Sequence, residues 1–241
     1  MYFTNKSLIN LSLCKILLNV LFSSFANNEP ISVPQSIDKK FIISVLILLL
    51  LSTSKSFGIN LNNINTKAGV TALMYHRFNE NKYPSTNIRN EIFKEQLKEI
   101  EKLKMEFITF NKFEEIVKSN IDKNYLLLTI DDAFESFYLN AWPMLKRKKI
   151  PFVLFVSTRE IGKYGYMTWE EIKEVASYEF VTIGNHSHSH EYLIDWDEKK
   201  ITTDIKTSIS IFKKKLGYSP KIFSYPFGEY SVNLKKIVAD F

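Results

Sequence analysis

From residue 69 onward, short apolar runs alternate with segments of helical spacing, and this alternation restricts the fold more than any other feature of the chain. Residues 125–130 and 152–156 are almost wholly apolar, as expected of strands buried on both faces of a parallel sheet. Residues 70–75, 107–109, 180–183 and 222–225 supply further short strand candidates. Between them, residues 91–104 place Ile92, Phe93, Leu97, Ile100 and Leu103 on one helical face. Asn111 is positioned to cap a helix over 112–118, and residues 136–148 read as a helix interrupted or bent near Pro143. Thr168 caps a helix running to Ala176, residues 202–215 form an amphipathic helix closing at Gly217, and residues 231–238 begin another. The pattern predicts an α/β fold, either an α/β barrel or a doubly wound sheet. In both, active-site residues gather beyond the C-terminal ends of the strands.

That rule selects three strings. Thr129-Ile130-Asp131-Asp132 ends the third apolar run, His186-Ser187-His188-Ser189-His190 follows the run at 180–183, and Tyr225-Pro226-Phe227-Gly228 follows the run at 222–225. All three therefore fall on one rim. Asp131 and Asp132 face different ways if the strand continues, so one can ligate a metal while the other faces a substrate. His186 and His190 share a face on a helical turn, whereas His186, His188 and His190 share one if the segment is extended; Gly184-Asn185 just before favours a turn and hence the His186/His190 pair. Three of the chain's four histidines lie within five residues, a concentration that points to a metal or catalytic role. One carboxylate and two imidazoles with an open position suit hydrolytic metal chemistry. His76 follows the first strand and is placed either to line the same rim or to serve as a structural histidine.

Composition narrows the function classes. Outside residues 1–58 the chain carries 27 basic and 24 acidic residues, a net +3, which is an ordinary surface and no nucleic-acid footprint. The single cysteine, Cys14, excludes a disulfide framework and a cysteine-ligated metal. In the N-terminal segment Lys39-Lys40 precede an apolar core at 41–51 and a small polar exit at 52–56. As a helix that core would span about 16 Å at ~1.5 Å per residue, against a bilayer core of ~30 Å. A secretory signal is therefore expected, with a retained membrane anchor as the alternative and a secreted, periplasmic or envelope location as the consequence. A second signal-like stretch occupies residues 8–26, so membrane association through these apolar segments is a further expectation. Residues 59–66, rich in asparagine, read as a linker to a domain spanning 67–241.

With these strings in place, the chain resembles the polysaccharide deacetylases, the NodB-homology domain of carbohydrate esterase family 4. The family's Thr-x-Asp-Asp motif corresponds to Thr129–Asp132, its His-Ser/Thr-x-x-His motif to His186–His190, and its aromatic-proline turn ending in glycine to the string from Ser224 to Gly228. The resemblance covers residues 67–241 and implies a distorted (β/α) barrel that removes acetyl groups from sugars with the help of a divalent metal, usually zinc. It implies Asp131 as the general base, Asp132, His186 and His190 as metal ligands, and the backbone N–H of Phe227 as an oxyanion donor. It further implies Tyr225, Pro226 and His76 as substrate contacts, Ser187 as a hydrogen-bonding support for the histidine motif, and an N-acetylated polysaccharide or oligosaccharide as substrate. The string through Tyr230 is most similar to the branch acting on exported poly-N-acetylglucosamine. Three departures stand out. Ala133 replaces the family's glycine, Ser224 stands where an arginine is usual, and the late Leu-x-His motif with its general acid has no counterpart before Phe241. The expectation is therefore a domain truncated at its C-terminus, with an exposed sheet edge. A non-catalytic carbohydrate-binding relative and a hydrolase of another small amide are the competing readings.

Overall fold

The computed structural model describes residues 68–119 and 123–241; the signal-like segments and the linker lie outside the described residues. β1 (Gly69–Tyr75), β4 (Glu106–Phe107), β5 (Asn124–Asp131), β6 (Phe152–Val156) and β7 (Val181–Asn185) form one parallel sheet in the order β1-β5-β6-β7, with β4 also on β5. β1 pairs with β5 from Gly69↔Asn124 to Tyr75↔Ile130. β4 and β6 divide the other edge of β5, β4 at Tyr125–Leu126 and β6 from Leu128 to Asp131. A separate two-stranded parallel ladder joins β2 (Arg77–Phe78) to β3 (Asn87–Ile88). The helices are α1 (Asn90–Lys102), α2 (Phe110–Ile116), α3 (Trp142–Lys148), α4 (Trp169–Ala176), α5 (Glu198–Leu216) and α6 (Val232–Ala239). Among the described residues no helix is long and apolar enough to cross a membrane.

β5 explains why the sheet is buried on both sides. Leu126, Leu128 and Ile130 pack into one cluster with Phe93 and Leu97 of α1, Trp142 and Leu145 of α3 and Ile172 of α4. The alternate residues Tyr125 and Leu127 pack into another with Phe110, Phe113 and Ile116 of α2 and with Val153 and Phe155 of β6. The period of two thus splits one apolar run between two cores. A third cluster joins α5 and α6 through Ile201, Ile205, Leu234 and Ile237.

Local chemistry moved several boundaries. The strand expected at 107–109 forms at Glu106–Phe107, because Thr109 leaves the ladder to cap α2, its Oγ1 accepting the Lys112 N–H at 3.2 Å in place of Asn111. α5 begins four residues before the expected start because Asp197 caps it, accepting the Lys200 N–H at 2.8 Å. The helix expected at 136–148 is divided into a π-helical turn, Phe137–Ala141, and α3, with Pro143 in the first turn where its missing N–H costs nothing. The capping box of Thr168 and Glu171 and the left-handed stop at Gly217 are present as expected. The strand expected at 222–225 is a single bridge, Asn185↔Phe223, with Asn185 N donating to Ile222 O and Ser224 N to Asn185 O, each at 2.9 Å. Pairing ends there because the chain turns at Pro226, which has no N–H to continue a ladder.

Candidate metal centre

β5 delivers Asp131 as its last residue, and the chain then turns through two consecutive left-handed residues, Asp132 at φ 73° and Ala133 at φ 55°. That conformation is costly for residues with a Cβ and needs support from its surroundings. The support is a neighbouring loop: Met167 N donates to Ala133 O at 2.9 Å and Glu135 N to Gly165 O at 3.0 Å. A glycine at 133 would adopt this turn without the steric penalty, which is the physical content of the alanine departure.

β7 and β6 together deliver the histidines. His186 N donates to Val156 O at 3.0 Å, and Ser157 Oγ donates back to His186 O at 2.8 Å. The loop then passes through left-handed backbone at Ser187 (φ 69°) and His190 (φ 54°). His190 N donates to Ser187 Oγ at 2.9 Å. His188 points elsewhere, its Nδ1 lying 2.9 Å from Thr158 Oγ1.

These turns bring Asp132, His186 and His190 together, with one ligand atom from each lying within 4.8 Å of the others. His190 Nε2 lies 3.1 Å and His186 Nε2 3.5 Å from Asp132 Oδ1, and Asp131 Oδ2 lies 3.8 Å from His186 Nε2. Asp131 and His186 are each only 2% exposed. Burial by itself would raise the Asp132 pKa. The contact with His190 and the charges of His186 and His190, with a lesser pull from His76, overcome it and hold the carboxyl well below the usual carboxylate range. Burial would likewise depress His190, and the contact with Asp132 together with the charges of Asp132 and Asp131 raises it instead. Asp132 Oδ1 is buried without a well-aligned hydrogen-bond donor, and two imidazole nitrogens face it. A buried carboxylate oxygen of this kind, with two imidazole nitrogens beside it, fits a divalent cation.

The comparison with known proteins rests on this geometry. The model of the family described as polysaccharide deacetylase matches residues 118–241, which contain all three motifs. The chain belongs to the polysaccharide deacetylase family. It is 26% identical over 228 residues to a poly-beta-1,6-N-acetyl-D-glucosamine N-deacetylase of Staphylococcus aureus, covering 79% of each chain. Among solved structures it is similar to IcaB from Ammonifex degensii, with a TM-score of 0.65 at 26% identity over 72% of this chain and 80% of that one. The fold also matches the Streptococcus pyogenes deacetylase PplD, with a TM-score of 0.64 at 23% identity over 73% and 81% of the two chains.

Within this deacetylase fold the third motif is placed differently from expectation. Tyr225 is 4% exposed and packs against Phe223 and Tyr230 at 5.2 and 5.6 Å, and Pro226 is also buried. Both pack beneath the rim, whereas the resemblance implied them as substrate contacts. Burial, with a smaller effect of Tyr230, pushes the Tyr225 phenol up to about 12. The ring that emerges is that of Phe227, whose backbone takes φ 58° in the turn Pro226–Gly228. It meets the His190 ring at 4.8 Å and stacks on Tyr192 at 3.9 Å with the planes 6° apart. His76 is half-buried on the same side as Asp132.

Two supports escaped sequence reasoning. Ser224 acts through its backbone: His186 Nδ1 lies 2.7 Å from Ser224 O. A carbonyl only accepts, so Nδ1 carries a proton and Nε2 is the nitrogen turned toward Asp132. Asp204, on α5, accepts the N–H of His188 at 2.7 Å and of Ser189 at 3.0 Å. Its one signal in the sequence is an acidic residue on the buried face of a helix, among Ile201, Ile205 and Ser208.

Proposed function

We propose that this deacetylase is a metal-dependent N-deacetylase of an exported N-acetylated polysaccharide, of the poly-β-1,6-N-acetylglucosamine type. The single observation that carries the reading is the convergence of Asp132, His186 and His190 beside Asp131 at the strand ends of a polysaccharide deacetylase. Two imidazoles and one carboxylate form a ligand set suited to zinc with an open position. When bound, the cation supplies Lewis-acid polarisation of the acyl oxygen and an acidified water.

The residues do the rest. Asp131, buried beside the cluster, takes the proton of the attacking water as its oxygen adds to the acetyl carbon. The Phe227 backbone N–H, held at its turn by the Gly228 N–H bond to Tyr225 O at 3.0 Å, is the donor assigned to the developing oxyanion. Breaking the C–N bond then yields acetate and the free amine of the sugar, with a proton delivered to the departing nitrogen. The exposed faces of Tyr192 and Phe227, beside His190, are suited to stacking a sugar ring. The signal-like segment at 39–58 supports export to where such a polymer lies. The curated relative named as a poly-beta-1,6-N-acetyl-D-glucosamine N-deacetylase supports a poly-β-1,6-linked substrate.

The test is acetate release by the zinc-loaded chain from β-1,6-linked N-acetylglucosamine oligomers, with β-1,4-linked oligomers and N-acetylated monosaccharide in parallel. Turnover highest on the β-1,6 oligomers is expected. Zinc binding without turnover on any acetylated sugar would overturn the reading.

A further inference from the structure

The histidine loop is tied on two sides, and the second side has no part in the chemistry proposed above. Its carbonyls are held by the segment that leaves β6. Ser157 Oγ donates to His186 O at 2.8 Å, Thr158 N to Ser187 O at 3.3 Å and Arg159 N to His188 O at 3.0 Å. Its amides are held by side chains. His188 N donates to Asp204 Oδ1 at 2.7 Å, Ser189 N to Asp204 Oδ2 at 3.0 Å, and His190 N to Ser187 Oγ at 2.9 Å. Three consecutive amides are thus captured by three side-chain oxygens, two of them on one carboxylate.

Asp204 sits in the interior of α5 and is 6% exposed. A carboxylate buried in that position is expensive unless its oxygens are satisfied, and two charge-assisted N–H bonds satisfy them. What they secure is specific. Ser187 and His190 both occupy left-handed backbone, a conformation that relaxes unless the surroundings impose it. The carbonyl bonds come from the segment just after β6, whereas the amide bonds at 188 and 189 depend on Asp204 alone.

We infer that Asp204 is a positioning residue for the metal site: its carboxylate clamps the 188–189 amides so that His190 Nε2 meets Asp132 and His186. The inference rests on the metal-site reading given under Proposed function. Replacing Asp204 by asparagine keeps the volume but leaves one acceptor oxygen and places an NH2 against an N–H donor, so one of the two bonds is lost. His190 then relaxes toward ordinary backbone angles, and the cluster loses its third corner.

The experiment is zinc affinity by chelator competition on wild type, Asp204→Asn and Asp204→Glu, with thermal unfolding of each zinc-free protein alongside. Asp204→Asn is expected to bind zinc about 10- to 100-fold more weakly, the usual cost of losing a partner that orients a ligand. Its zinc-free melting curve should stay cooperative, and acetate release should recover at saturating zinc. A folded Asp204→Asn protein with wild-type zinc affinity overturns the inference, as does an affinity loss matched by the unfolded fraction. If Asp204→Asn does not fold, Asp204→Glu, which keeps both oxygens on a longer stem, is judged by the same two criteria. Absence of zinc binding by wild type would instead overturn the metal-site reading itself.

Discussion

The imidazole of His186 donates its Nδ1–H to the carbonyl oxygen of Ser224, 2.7 Å away, and so joins the histidine loop to the aromatic-proline turn through a backbone group. The bond fixes the ring plane and leaves Nε2 facing Asp132 at 3.5 Å, where the proposed cation would be shared between them. Removing the ring removes a ligand outright, so His186→Ala should lower zinc affinity by more than the ~10- to 100-fold expected for losing a mere supporting partner. Metal analysis after dialysis should find the variant near background, with acetate release lost in parallel. Wild-type zinc content in His186→Ala would be incompatible with the site.

Asp131 occupies a different position from Asp132 although they are neighbours. It ends β5 in strand geometry, while Asp132 has already turned into left-handed backbone. Asp131→Asn keeps the shape and removes the proposed base. The expected outcome is a fall in kcat of about 10²- to 10⁴-fold with zinc content unchanged. A variant that loses zinc instead would assign Asp131 to the ligand set.

How much of this was legible in the sequence follows from which groups do the work. Apolar periodicity placed β5, β6 and β7 because burial on both faces leaves a continuous run, and strand ends then located Asp131, Asp132, His186 and His190. Side chains that bond to backbone were harder to see. Nothing about the letter at 224 announces that its carbonyl receives His186, and Asp204 reads as any helix acid until α5 is laid against the loop. The covering of Tyr225 was illegible for a similar reason. The left-handed turn at Phe227 throws its ring outward and leaves Tyr225 in the core, a choice made by φ and not by residue type.

The stacked pair of Tyr192 and Phe227 makes a polymer-specific prediction. Both rings are exposed, at 44% and 41%, although aromatic rings of this size are usually covered. Tyr192→Ala should raise KM for an oligosaccharide about 2- to 10-fold, the equivalent of one aromatic stacking contact, while leaving kcat and zinc affinity near wild type. Steady-state kinetics on β-1,6 oligomers would reveal it. A fall in kcat at unchanged KM would show that the pair serves His190 and not the sugar.

Gly184 is held by packing. It lies opposite Phe155 in the β6–β7 register, and a Cβ there would overlap the Phe155 ring. Phe155 is 1% exposed and Gly184 lies in the buried half of β7, so neither can give way cheaply. Gly184→Ala should cost about 1–3 kcal/mol and lower the melting temperature by roughly 2–10 °C. Because Phe155 also neighbours the His186 ring, at 6.3 Å between centroids, zinc affinity should weaken in the same variant. An unaltered melting temperature would mean that the ring moves aside freely.

The ion pair between Asp132 and His190 sets a pH profile for the zinc-free protein. Asp132 is depressed in the folded state, so its contribution is complete above the ordinary aspartate value of about 3.9 and is lost as pH falls through its lowered pKa. His190 is raised, so its contribution is complete below about 6.5 and is lost as pH rises through its raised pKa. The chelated protein should therefore gain most from this pair between about pH 4 and 6.5 and melt at lower temperature toward pH 9. Zinc requires the lone pair that the proton occupies, so its affinity should strengthen over the same alkaline range and cancel the decline. The difference in melting temperature between wild type and Asp132→Asn, followed from pH 4 to 9 with and without zinc, isolates the pair from other titrating groups. A difference that stays constant across that range in the chelated proteins would show that His190 carries no proton bound by Asp132.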